Sequence, residues 1–197
     1  MSISLTRRKV IFAGVGAMLA TFVPIANAVP VGISGFTKHA RQQLTPVWCW
    51  AAVIQTLLDY RGIDWSQAEI VAAMKGHVTI ETASDHEMSA FLNSWGFTHA
   101  GIPWRSTAKF SKGSPSPELT VAELRDERPI ILKLRLSPVM DHVVVAYVAN
   151  VLDGPGKHDE LNSVFYIDPA DGDIHLLTGK EYVSKVVGHW LVNIQRA

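Results

Sequence analysis

The chain has a single thiol, Cys49, set in the run Gln43-Leu44-Thr45-Pro46-Val47-Trp48-Cys49-Trp50-Ala51-Ala52. Apolar residues recur from it at helical spacing (Trp50, Ala51, Ile54, Leu57, Leu58), and Tyr60-Arg61-Gly62 supplies a stop, so Cys49 falls in the first turn of a helix. Unpaired backbone N–H groups and the helix dipole favour negative charge there, and the thiolate is the nucleophilic form of cysteine. Cysteine is also a common core residue, and packing between two tryptophans accounts for the position equally well. One cysteine excludes an intramolecular disulfide and any zinc site built on several thiolates.

A cysteine nucleophile needs a base, and the base needs a group to orient it; both come from elsewhere in the sequence. Of the eight histidines, His142 begins the apolar strand Val143 to Val148, just after Ser137-Pro138 has broken the strand before it. A strand end can aim an imidazole into a cleft, although it is also an ordinary exposed position. The following strand runs through Val164, Phe165, Tyr166 and Ile167 to Asp168-Pro169. An aspartate there can accept the imidazole N–H and stabilise the imidazolium, while Asp-Pro is equally a turn signal. Asp141 is the weaker orienter, because neighbouring strand residues point to opposite faces. Asp85-His86-Glu87 has the composition of a metal cluster but no ligand spacing, and its acids suit a helix start; no metal or cofactor is expected.

The elements that must position these groups divide along the chain. Helices come first: after the Cys49 helix, Ser66 with Glu69 and Ser84 with Glu87 form capping boxes that open two more, and Thr120 with Glu123 reads as the start of a fourth. Met88, Phe91, Leu92 and Trp95 share one stripe. Thr107 to Pro117, rich in Ser, Lys, Gly and Pro, reads as an exposed loop. Strands follow at 129–136, 142–149, 163–168, 173–177 and 189–194, with turns at Asp153-Gly154-Pro155-Gly156 and Asp171-Gly172, and a short helix capped by Thr178 and Glu181 precedes the last strand. Helices then an antiparallel sheet is the α+β pattern.

Residues 1–28 stand apart. A basic start, an apolar run from Val10 to Val23 and the small-x-small sequence Ala26-Asn27-Ala28 make an export signal cut before Val29, and Thr6-Arg7-Arg8-Lys9 also resembles a twin-arginine signal. The run is too short for a spanning helix. Cutting it removes three of the 18 basic residues and none of the 18 acidic ones, leaving a net charge of −3 on a single domain, 29–197. With 48% hydrophobic and 18% charged residues the chain is neither disordered nor charged like a nucleic-acid binder. The expected protein is exported, periplasmic or secreted, with no lasting membrane anchor.

Gln43 six positions before Cys49, a tryptophan on each side of the thiol, small residues after it, and the order Cys, His opening a strand, Asp-Pro ending the next together resemble the papain-like cysteine peptidases. The match is to compact bacterial members, similar to bacteriocin-leader peptidases and plant-pathogen effector proteases, and spans roughly Gln43 to Gly172. The resemblance implies a papain-like fold, a helical part bearing the nucleophile packed on an antiparallel sheet. It makes Cys49 the nucleophile, His142 the general acid/base, Asp168 its orienter and Gln43 a side-chain donor to the oxyanion hole beside the Cys49 N–H. Trp48 and Trp50 are expected to serve partly as substrate-binding cleft wall and partly as core, since helix periodicity cannot place both on one face, and the substrate is a protein or peptide. Two departures stand out: Asp where plant-type enzymes carry Asn, and no Cys-Gly-Ser around the thiol. The same three groups suit acyl transfer to an amine, transglutamination or deamidation, and a non-catalytic binding module of the same fold is the alternative from another class.

Overall fold

A computed structural model describes residues 27–93, 96–153 and 160–197. Positions 1–26 of the export signal, Trp95 of the third-helix stripe, His158 and the turn at 154–156 lie outside the described residues.

Strand β1 (Asn27–Gly32) and a short 3-10 turn (Phe36–His39) lead into three helices, α1 (Cys49–Tyr60), α2 (Gln67–Lys75) and α3 (Asp85–Asn93). There follow β2 (Gly96–His99), β3 (Ile102–Lys112), α4 (Pro117–Arg125), β4 (Ile130–Ser137), β5 (Met140–Asp153), β6 (Glu160–Ile167), β7 (Ile174–Thr178), α5 (Gly179–Lys185) and β8 (Val186–Arg196). All strand pairings are antiparallel, in the order β2-β3-β8-β4-β5-β6-β7. β1 pairs with β5 through Val148 to Asp153, taking over the edge on which β4 pairs with Met140 to Ala146. The fold is α+β as expected, with α1 to α3 grouped ahead of β2 to β8 and β1 preceding them.

The long strand β5 explains its own sequence. Val143 through Tyr147 are all buried, so both faces of the strand are covered and the apolar run is continuous instead of alternating. α1 packs on this strand and on α2, and eight of its residues, from Trp50 to Leu58, are buried. One hydrophobic cluster joins the two halves, running from Phe36, Ile54 and Leu58 through Ile70 and Leu92 to Val144 and Trp190.

Two expectations need correction. The segment read as a loop from Thr107 is strand β3 as far as Lys112, each residue paired in turn with Asn193 back to Gly188 of β8. Its Ser and Lys residues stand on a strand whose other positions, Trp104 and Ser106, are buried, so composition concealed the ladder. The fourth helix starts at Pro117, with Ser116 as N-cap accepting from the Leu119 N–H; Thr120 lies inside it, buried, its hydroxyl on Ser116 O and Tyr182. Proline at the first helical position, where a missing N–H costs nothing, is the signal that outranks the Thr/Glu pair.

Candidate active site

Cys49 is the first residue of α1, and the way that helix begins differs from the others. Ser66, Ser84, Ser116 and Thr178 each cap their helix by accepting a backbone N–H three residues on. α1 is preceded by Trp48 and has no side-chain cap. The partly positive end of this helix is therefore directed at the thiol instead of at a capping hydroxyl. The turn Thr45 to Trp48, closed by the Trp48 N–H on Thr45 O at 3.2 Å, delivers the chain to that point.

His142 comes from the third position of β5 and Asp168 from the residue after β6. Antiparallel pairing of these strands, Val145 opposite Ile167, brings the two side chains together. His142 Nε2 lies 2.6 Å from Asp168 Oδ1, and the Cys49 thiol is the other group that acts on the ring. Burial of the ring works against its charge, but the hydrogen bonds to Asp168 and Cys49 and the attraction of both outweigh it, and the imidazole is pushed up to about 9. Burial likewise works against charge on Asp168, yet His142 and the Ala170 N–H, 2.8 Å away, hold its carboxyl below the usual range.

The acid is held by a tight loop. The Gly172 N–H donates to Asp168 O at 2.7 Å and the Asp168 N–H to Asp173 O at 3.0 Å. Gly172 has φ of +79°, which a side chain would strain, and a Cβ there would lie 3.5 Å from the Gln42 side chain. The loop thus meets the segment leading to the thiol, where the Gln43 N–H donates to Pro169 O at 2.7 Å. The Gln43 side-chain oxygen is buried and has no hydrogen-bond partner among the described residues.

A cleft of about 540 Å³ opens over Cys49 and His142. Trp50, Met88, Leu136 and Val139 give it apolar wall, and Lys133 and Asp141 a charged one. Lys133 bridges Asp85 at 2.8 Å and Asp141 at 3.1 Å, and Asp141 also pairs with Arg135, so this carboxylate is committed away from His142. Glu87, another member of the sequence cluster at the start of α3, pairs with Lys75 and Ser84.

The two tryptophans part company. Trp50 lines the cleft, whereas Trp48 is buried in the core outside its lining. Residues two apart at a helix start do not share a face. What they share is a carbonyl partner on one segment: the Trp48 indole N–H donates to Thr79 O at 2.9 Å and that of Trp50 to Glu81 O at 3.2 Å. They pin the stretch that continues into Thr82, Ala83 and Ser84, which border the cleft. This anchoring has no signature in the sequence, since Val78 to Ala83 follows no period.

A thiol at an uncapped helix start, an imidazole held on a carboxylate, and an open cleft can together generate a thiolate and present it to a carbonyl carbon. A helical half carrying the thiol against an antiparallel sheet carrying the base and the acid defines a papain-like cysteine peptidase. A family model described as papain-like cysteine protease AvrRpt2 matches residues 34–187, and the chain belongs to that family. No curated protein matches the sequence. Among solved structures, the fold is similar to the peptidase domain of Streptococcus ComA, a bi-functional ABC transporter involved in a quorum sensing pathway, with a TM-score of 0.54 and 14% identity over 77% of this chain and 95% of that one.

Proposed function

We propose that the chain hydrolyses peptide bonds through an acyl-enzyme on Cys49. The observation that carries the reading is the line Asp168, His142, Cys49 at the mouth of a cleft. The thiolate attacks the scissile carbonyl, forming the S–C bond and moving an electron pair to oxygen. The His142 imidazolium then gives its proton to the leaving amine as the C–N bond breaks. Water, deprotonated by His142, attacks the thioester; the S–C bond breaks, the acid leaves and the thiolate returns. Asp168 holds the ring in register, and the Gln43 amide with the Cys49 N–H stabilises the oxyanion.

The substrate is a protein or peptide, and the apolar wall of Trp50, Met88 and Leu136 suits an apolar side chain beside the scissile bond. Residues 1–28 direct the chain out of the cytoplasm and 29–197 form the working domain. Among the described residues no helix is long and apolar enough to cross a membrane.

The test is digestion of a mixed peptide library with an added primary amine, read by mass. Cleaved products that gain one water, absent with Cys49→Ala and His142→Ala, are expected. Products that gain the amine would replace hydrolysis by acyl transfer, and turnover by His142→Ala would remove the mechanism.

A further inference from the structure

Gln67 is the first residue of α2, placed there by the Ser66–Glu69 capping box, and its side chain is buried at 2% exposure. A buried amide is costly unless its donors and acceptor are used. Here Oε1 accepts the Leu44 N–H at 2.9 Å, and Nε2 donates to Gln42 O at 2.8 Å and to Gln55 Oε1 at 3.0 Å. The two backbone bonds fall on either side of Gln43, in the pattern a neighbouring strand would make. Gln55 belongs to α1, so the same amide links the Gln43 backbone to the helix that carries Cys49. On its other side the Gln43 N–H is held by Pro169, next to Asp168.

We infer that Gln67 is a positioning residue for the oxyanion hole, fixing the Gln43 backbone so that its side-chain amide stays registered to the Cys49 sulfur. Given the donor role proposed for Gln43, the need is plain: the Gln43 side-chain oxygen has no hydrogen-bond partner among the described residues, so placement of its amide falls to the backbone. An oxyanion donor acts only when it is fixed before the charge forms, and small displacements are costly.

Two reactions of the full chain with Cys49 separate positioning from general damage. Acylation by N-acetylglycine p-nitrophenyl ester forms a tetrahedral oxyanion before nitrophenolate leaves; alkylation by iodoacetamide displaces iodide and forms none. Gln67→Met, close in shape and without hydrogen bonds, is expected to slow the nitrophenolate burst about tenfold while alkylation stays within about twofold. Gln67→Glu keeps the Leu44 bond, loses both donors and serves as the second variant, with the same pattern expected. Gln43→Ala should slow acylation about a hundredfold, and adding Gln67→Met to it should change the rate by less than about twofold, because the route through Gln43 is already gone. The inference is overturned if the Gln67 variants slow both reactions alike, if their factor is the same in both backgrounds, or if they leave acylation untouched while Gln43→Ala slows it. Unimpaired acylation by Gln43→Ala would instead overturn the Gln43 assignment itself, and the inference with it.

Discussion

At the scale of single residues, the site is a matter of who holds His142 charged. Its side chain is 11% exposed and that of Asp168 18%, so neither charge is well solvated and each depends on the other. The folded-state value of about 9 lies above the ordinary 6.5, so protonated His142 favours the folded chain. That contribution is complete below pH 6.5 and is lost as the pH rises through about 9. The Asp168 contribution runs the other way, present above the ordinary 3.8 and lost as the pH falls. An NMR titration of the histidine rings should place the His142 midpoint near 9 and see it fall toward 6.5 in Asp168→Asn; a midpoint unmoved by that change would contradict the ion pair. Asp168→Ala should keep partial peptidase activity, because Cys49 retains its imidazole. Cys49, His142 and Asp168 could be found in the sequence because a lone thiol in a first turn, a histidine opening an apolar run and an Asp-Pro each carry a local signal. Gln67 could not: its three partners are 12 to 25 residues away, and nothing near it marks a buried amide.

At the scale of elements, legibility followed locality. The capping boxes at Ser66, Ser84 and Thr178 were readable because both partners lie within one turn, and all three form. β3 was hidden because its pairing partner, β8, lies some eighty residues further on and its exposed positions include Arg105, Thr107 and Lys109. The stretch from Val78 to Ala83 is harder still, since what fixes it is a pair of indoles. Each indole N–H on a backbone carbonyl contributes about 1 kcal/mol. Trp48→Phe and Trp50→Phe keep the ring and remove the N–H, so each should lower stability by about 1 kcal/mol in urea denaturation. Only Trp50→Phe, which also alters the cleft lining, should raise KM measurably. Equal KM values for the two variants would remove Trp50 from the wall that binds substrate.

At the scale of the whole molecule, the reactive groups sit on a seam: the thiol belongs to the helical half, the base and the acid to the sheet. Such a site works only if the halves do not part, and three kinds of contact cross the seam. The apolar cluster is continuous from α1 and α3 into β5 and β8; Lys133 of β4 reaches Asp85 of α3; and the Gln42–Gln43 segment is bonded to Pro169 and Ala170 beyond β6. A core shared this fully has no boundary along which one half could unfold alone. A chain beginning at Val29 keeps four of the six β1 residues, Val29 to Gly32, and with them the pairing to Val148 through Val151. It should therefore unfold in a single transition, with tryptophan fluorescence and far-ultraviolet circular dichroism giving the same midpoint, because Trp50 and Trp190 lie in the same cluster from opposite halves. Separate midpoints would mean two units, and a catalytic line that breaks before either of them melts.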